Sequence, residues 1–265
     1  MKLSAEVPLV SCLMVTSDRL LMAKRSVQCF ARQTYPRAEL VIVSAGDRAY
    51  RRTLEQHFDN QCISGRIVTA NAASSLGALR NLSLDAAAGE IVCQWDDDDC
   101  YHPDRIFRQV EHMTQQAAQA CFLTDNLHLL EPDGHLYWID WTRGSRPEQW
   151  FGLFPPTLMM INNERFRYVE TGPIARLGED LDIAAQLCRE VPVAMLGGMG
   201  WLYLYIFHGG NTCSRSHHYK IAARRSISNE AAESRSGEIR RAIQHYPIPR
   251  PVVVCGKQGP AFSIH

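Results

Sequence analysis

Trp95-Asp96-Asp97-Asp98-Asp99 is the stretch on which the reading of this chain turns. A short apolar run, Ile91-Val92-Cys93, precedes it, and Tyr101-His102-Pro103-Asp104 follows. Four consecutive carboxylates repel one another, so a folded protein holds them only in solvent or against cations. Mg²⁺ and Mn²⁺ take oxygen ligands, usually one or two carboxylates together with substrate phosphates. An acidic run taken alone is most often a solvated loop. Here an apolar strand runs into the carboxylates and a proline-started helix leaves them. That order predicts a position at the carboxyl edge of a sheet, where open α/β sheets bind ligands.

The sequence on either side agrees. Pro8 to Thr16 is a continuous apolar run, suited to a strand covered on both faces. Ser17 or Asp18 is placed to cap a helix carrying Leu20, Ala23, Val27, Phe30 and Ala31, which Pro36 ends. Leu40-Val41-Ile42-Val43 reads as a second strand closing on Ser44-Ala45-Gly46-Asp47, then a helix around Tyr50 to Phe58, then a short strand Arg66 to Thr69. Ser74 or Ser75 caps a helix with Leu76, Leu79, Leu82 and Ala86 on one face, and Gly89 stops it. Pro103 opens the next helix, whose stripe is Ile106, Val110, Met113 and Ala117. Alternating strands and helices predict a mostly parallel, doubly wound sheet. After residue 120 the rhythm changes. Cys121 to Leu130 and His135 to Trp141 read as strands joined by Glu131-Pro132-Asp133-Gly134, a hairpin signal. Thr157 to Ile161 and Trp201 to Phe207 read as further strands, and a helix begins at Gly178-Glu179-Asp180. Past His208-Gly209-Gly210-Asn211 the chain turns basic and histidine-rich, with Arg215, His217, His218, Lys220, Arg224 and Arg225.

Composition narrows the classes. The 265 residues suit one large α/β domain or two small ones, and 46% apolar residues are ample for a core. A formal net charge of zero argues against a general nucleic-acid binder. No apolar run has membrane-span length, and Met1 to Glu6 lacks the apolar centre of a signal peptide. Nine cysteines without C-x-x-C spacing, several in apolar runs (Cys12, Cys93, Cys121), read as buried thiols of a reducing cytoplasm.

From Pro8 to Asn211 the sequence resembles the family 2 glycosyltransferases of GT-A fold. The resemblance rests on an ordered set of segments. Val15-Thr16-Ser17-Asp18-Arg19 is similar to the family's opening strand and turn, and Gln33-Thr34-Tyr35-Pro36 to the exit of its first helix. Leu79-Arg80-Asn81 is similar to its Ala-Arg-Asn helix, Trp95 to Asp99 to its Asp-x-Asp metal motif, Glu179-Asp180 to the pair carrying its base, and His208-Gly209-Gly210-Asn211 to a late element of some members. One segment departs. The family's second strand usually ends in Asp-Asp-Gly-Ser, whose first Asp holds the nucleobase, and Ser44-Ala45-Gly46-Asp47 stands there instead.

The resemblance implies an α/β GT-A fold, with a mostly parallel Rossmann-like central sheet flanked by helices and a smaller mixed acceptor-side region. Residues 1–120 would bind the nucleotide sugar, 121–212 would form the acceptor-side and catalytic half, and 213–265 a basic tail with helices and a lid. The implied reaction is inverting transfer from a nucleoside-diphosphate sugar, a UDP-sugar first, to a hydroxyl of a glycan, lipid-linked or peptide acceptor. Mn²⁺ or Mg²⁺ would be held by Asp96, Asp98 and His208. Thr16, Arg19, Asp47, Arg80, Asp96 and Asp97 would bind the donor; Asp180 would be the general base and Glu179 its partner. The implied location is the cytoplasm, or the inner face of the membrane without a membrane span. Trp138, Trp141 and Trp150 are candidates either for stacking on an acceptor sugar or for the core. Two other classes compete. A nucleotidyltransferase calls for a glycine-rich loop after the first strand, where Ser17-Asp18-Arg19-Leu20 has no glycine. The second is a non-enzymatic carbohydrate- or calcium-binding module, whose calcium form calls for an EF-hand pattern that is absent. A catalytically degenerate GT-A protein is the remaining alternative.

Overall fold

The computed structural model describes residues 7–143 and 152–265; Met1 to Glu6 and Trp150 lie outside the described residues. The chain divides into two compact units. The first takes Met1–Asp98, Ile106–Phe122 and Pro155–Ala194; the second takes Asp99–Arg105, Leu123–Phe154 and Met195–His265.

The first unit is built on β1 (Val10–Thr16), buried at every position but one, as a strand covered on both faces must be. β1 pairs in parallel with β2 (Ala38–Ser44) on one side and with β4 (Ile91–Gln94) on the other. β3 (Gly65–Thr69) continues in parallel from β2. Beyond β4 the sheet turns antiparallel through β9 (Met159–Ile161) and β6 (Ala120–Leu123), with β10 (Val193–Leu196) at its edge. Helices α1 (Leu20–Ala31), α2 (Arg48–Asn60), α3 (Leu76–Ala86) and α4 (Arg105–Gln115) alternate with these strands as the hydrophobic periodicity predicts. In-register pairing aligns Thr16 with Ser44, so the carboxyl ends of β1 and β2 stand level, and β4 runs beside them into Asp96.

Two local expectations are corrected. Neither Ser17 nor Asp18 caps α1: the N-cap is Arg19, without a side-chain bond, and the Ser17 hydroxyl donates to the Asp18 carboxylate instead. Both residues lie too early in the chain for the first free amides. The apolar run from Cys121 to Leu130 is two strands, β6 and β7 (Asp125–Leu130), parted at Thr124. Every residue of both strands is buried, so no change of burial pattern marks the break.

The second unit's sheet has the order β13-β12-β8-β7-β11-β5. β7 and β8 (His135–Asp140) form the expected antiparallel hairpin, and Gly134 at φ +65° supplies the left-handed turn residue. β11 (Tyr203–Phe207) runs parallel to β7, and β5 (Cys100–Tyr101) closes that side. Residues after 213 contribute α6 (Arg215–Arg225), α7 (Asn229–Ser234), α8 (Ser236–Ile243) and a hairpin of β12 (Val252–Gly256) and β13 (Gly259–Ile264) joined to β8. α6 is tied down at both ends. Arg215 and Tyr219 bond Asp133, and Arg225 donates to the carbonyls of Trp141 (3.0 Å) and Arg143 (2.9 Å). No helix of the described residues is long and apolar enough to cross a membrane.

Beneath α6 the His218 ring lies 5.3 Å from that of His128 and 4.6 Å from that of Phe207. Both ring nitrogens of His128 are buried and meet no partner among the described residues. Burial first, then the neighbouring His218, pulls the His128 pKa down to about 3, against 6.5 for an unhindered histidine. A depressed histidine contributes fully above the unfolded pKa and loses that contribution as pH falls toward the folded one. At about pH 5 the loss for His128 is on the order of 2 kcal/mol. Asp125 in the same unit, pushed up to about 6 by burial, titrates in the opposite sense. The histidine effect is therefore read as a difference between proteins. His128→Phe should lose less melting temperature than the wild type between neutral pH and about pH 5. Parallel curves for the two proteins would contradict it.

Candidate active site

The carboxylates of Asp96, Asp97 and Asp98, past the end of β4, are divided between two guanidiniums, Arg80 on the first and Arg19 on the other two. The Asp96 and Asp98 carbonyls are pinned from α1, by the Ser26 hydroxyl at 2.9 Å and Arg25 Nη2 at 2.7 Å. Asp97 turns inward and is 1% exposed. Its Oδ2 accepts from the Thr16 hydroxyl at 2.7 Å, and its Oδ1 from Arg19 Nη2 at 2.8 Å. The other terminal nitrogen of Arg19 reaches Asp98 Oδ2 at 2.5 Å, so one guanidinium spans two adjacent carboxylates. The Thr16 hydroxyl also pairs with the Tyr50 hydroxyl from α2.

Asp96 faces a different cation. Its Oδ1 accepts from Arg80 Nη2 at 2.9 Å, and Gln94 Nε2 donates to its Oδ2 at 3.1 Å. Arg80 lies on α3, 8% exposed, and its Nε donates to Glu179 Oε1 at 3.0 Å. Glu179 and Asp180 open α5 (Glu179–Glu190) behind Gly178, whose φ of +103° is a conformation other residues rarely adopt. Arg80 thus joins the strand-end carboxylate to the acidic first turn of α5. Tyr168 completes this side: its hydroxyl donates to Gln94 Oε1 at 3.2 Å, and the Arg80 guanidinium lies 5.6 Å from its ring centre.

Four carboxylates meet the guanidiniums of Arg19 and Arg80, with Asp180 beside them, and the pKa shifts follow from burial and that imbalance. Burial, then the charge of Asp98, pushes Asp97 up to about 7 against the pull of Arg19. Burial, then Glu179, pushes Asp180 up to about 6. Its carboxylate accepts from the Leu181 amide at 2.8 Å, and the residue is partly exposed. Arg80 is held well above its ordinary pKa, because Asp96 and Glu179 outweigh the cost of its burial.

Other sequence candidates lie elsewhere. Asp47 is the N-cap of α2, its Oδ1 accepting from the Tyr50 amide at 2.7 Å. The neighbouring Gly46 is forced by space: a Cβ there would fall 2.3 Å from the Ser17 carbonyl oxygen and 2.5 Å from the Tyr50 ring. The Ser44 hydroxyl is buried without a partner among the described residues. Asp99 belongs to the second unit, where it accepts from the Tyr203 hydroxyl at 2.5 Å and the Ile206 amide at 2.9 Å. His208 also belongs to the second unit; its amide donates to Asn211 Oδ1 and its Nδ1 accepts from the Gly210 amide. Trp138 is buried, and Trp141 stacks on Phe154 with ring centres 4.9 Å apart. Gln94, Tyr50 and Tyr168 were not legible as site residues. The one pointer was Asn81 beside Arg80, whose side chain accepts the Tyr168 amide and donates to the Tyr168 carbonyl.

Comparison with known proteins agrees with the fold. S. aureus TarS residues 1–349 in complex with UDP-GlcNAc superposes with a TM-score of 0.60 at 14% identity, covering 91% of this chain and 68% of that one. The mannosyltransferase PcManGT from Pyrobaculum calidifontis, in complex with GDP-Man and Mn²⁺, superposes with a TM-score of 0.58 at 13% identity, covering 83% of this chain and 62% of that one. Both likenesses establish the GT-A fold. No curated protein matches the sequence. The profile of glycosyl transferase family 2 matches residues 11–165, and the chain belongs to that family.

Proposed function

We propose that this glycosyltransferase moves a sugar from a nucleoside-diphosphate donor to an acceptor hydroxyl with inversion, aided by a divalent cation. The observation that carries the reading is the Arg80 bridge, which sets Asp96 and Glu179, the neighbour of Asp180, on one guanidinium. Donor-side and base-side carboxylates are thereby held in a fixed relation.

The cation fits the residues present. Asp96 and Asp98 offer oxygen donors, the chemistry Mn²⁺ and Mg²⁺ prefer, and their side chains are 21% and 14% exposed. Burial and then the charge of Asp98 raise Asp97, so added positive charge is favoured beside it. Among the described residues no group of three or more acidic, histidine or cysteine side chains is arranged to hold a metal alone. Asp96 and Asp98 would supply protein oxygens to such an ion, and the donor diphosphate would supply others. A role for His208 as a nitrogen ligand rests on the resemblance alone. When bound, such an ion neutralises the leaving diphosphate. The chain's own part is to orient and to move a proton. Arg19 can exchange Asp98 for a donor phosphate while Asp97, itself bonded by Thr16, holds its other terminal nitrogen, and Asp180 takes the proton of the attacking hydroxyl. Asp47, exposed after the end of β2, is the polar residue there available to a nucleobase, while Ser44 is buried. UDP is the first donor nucleotide to test, because TarS was crystallised with it, and GDP the second, because PcManGT holds GDP-Man. The acceptor is a glycan, lipid-linked or peptide hydroxyl. The site of action in this reading is cytoplasmic, peripheral to the inner membrane face where the acceptor is lipid-linked.

Mn²⁺ alone should bind weakly, and about tenfold or more tightly once UDP or GDP is present, as read from the electron paramagnetic resonance of free Mn²⁺. Asp98→Ala should abolish that gain and the transfer activity. Full transfer in EDTA would remove the metal from the mechanism.

A screen of UDP- and GDP-sugars, following release of nucleoside diphosphate, finds the donor. With it, Asp180→Asn should lower turnover by roughly a hundred- to ten-thousand-fold while donor affinity stays. Wild-type turnover should rise with pH through about 6, since Asp180 must be ionised to accept a proton. Near-normal turnover in Asp180→Asn would move the base elsewhere.

A further inference from the structure

The second unit encloses a cavity of about 250 Å³, walled in part by Thr124, Asp140, Arg143, Ile227 and Ala231 and floored by Asp125 beside Trp138. Asp125 is 5% exposed. Its Oδ2 accepts from Trp138 Nε1 and from the Gly198 amide, each at 3.0 Å. Its Oδ1 is buried and meets no donor among the described residues. A buried carboxylate oxygen without a donor is costly, and one that lines a cavity points to an occupant that brings the donor.

The remaining charges limit what that occupant can be. Arg143 Nε already faces Asp140 Oδ2 at 2.7 Å, and Asp140 Oδ1 accepts from the Thr142 amide and hydroxyl. Arg235 Nη1 faces Glu238 at 3.0 Å, and its guanidinium covers the Trp138 ring at 4.4 Å. Each guanidinium in the wall is thus matched by a carboxylate, while Asp125 Oδ1 is unmatched. Asp125 Oδ1 repels an anion, whereas a neutral group rich in O–H donors gives it a partner. The walls are also fixed in place. A Cβ on Gly200 would fall 2.9 Å from the Trp138 ring, and one on Gly197 2.8 Å from the Thr124 hydroxyl. Gly197 and Gly200 therefore bring the loop Gly197-Gly198-Met199-Gly200 against Thr124 and Trp138 more closely than a side chain would allow. Ile227 and Ala231 add an apolar side. Hydroxyl donors on one edge and a C–H face on the other describe a sugar ring, and the volume suits one ring and not a nucleotide.

We propose that this cavity is a saccharide subsite, in which a neutral sugar unit donates a hydroxyl to Asp125 Oδ1. It rests on the family 2 reading only for its biological sense, since the site is made wholly of second-unit residues and needs neither donor nor metal. The test uses the full chain without nucleotide or cation. Methyl glycosides of neutral hexoses, an amino sugar and a uronic acid are titrated against isotope-labelled protein by NMR. The expected result is a saturable shift of the Trp138 indole N–H and the Gly198 amide with a neutral glycoside, and weaker binding of the uronic acid. Asp125→Asn should weaken that binding about tenfold or more. Ala231→Leu, which fills the cavity from a partly exposed wall and leaves the Asp125 bonds intact, should abolish it with the melting temperature kept. Silence with every sugar, an unchanged shift in Ala231→Leu, or preference for the uronic acid would overturn the proposal. Transfer assays are independent of all three outcomes, so a failed subsite and a failed transferase are told apart.

Discussion

The buried guanidinium of Arg80 is the constraint on which the first unit's chemistry depends. A cation taken out of water costs several kcal/mol unless it is paired and hydrogen-bonded, and removing one partner of such a pair costs about 3–5 kcal/mol. Arg80 has two carboxylate partners, from the end of β4 and from the first turn of α5, which are separated by more than eighty residues of chain. Neither can move without leaving a buried charge uncompensated. Asn81, one residue on, ties down the backbone of Tyr168 in both directions, and Tyr168 reaches Gln94 beneath Asp96. Two successive residues of α3 therefore position the sheet edge and the segment leading to α5.

Much of this was legible because it is local. The continuous apolar run of β1, the stop at Ser44, the Asp-Gly hairpin and the carboxylates behind Ile91-Val92-Cys93 each follow from short-range patterns that the fold bears out. The GT-A class followed from their order. What was not legible is long-range pairing. Nothing in one sequence couples Arg80 to Glu179, Asn81 to Tyr168 or Tyr50 to Thr16. The cap of α1 was misplaced because Ser17 and Asp18 satisfy each other, an alternative that a capping residue always has. The break at Thr124 was hidden because both flanking strands are wholly buried, which removes the alternation that marks a strand's faces.

The segment Ser44-Ala45-Gly46-Asp47 shows how a departure in sequence can have a steric reason. Gly46 sits where the chain passes between the Ser17 carbonyl and the Tyr50 ring, with no room for a Cβ. Tyr50 is held there by its amide bond to Asp47 and by its hydroxyl contact with Thr16. Asp47 thereby helps to place the residue that steadies Thr16, which in turn bonds Asp97. The turn after β2 is built to support the carboxylate cluster as well as to border it.

Two carboxylates of the first unit are pushed toward neutral pH, and their surroundings separate their roles. Asp97 has the larger rise, yet it is 1% exposed and both its oxygens are engaged, by Thr16 and by Arg19. A group so enclosed can hold Arg19 but cannot reach an incoming hydroxyl. Asp180 shifts less, is partly exposed, and is engaged by a single backbone amide at the start of α5. The helix dipole favours its ionised form while burial and Glu179 oppose it, and the balance leaves it ionised yet basic near neutrality. Access, more than the size of the shift, suits Asp180 to the proposed role of base and Asp97 to that of a support.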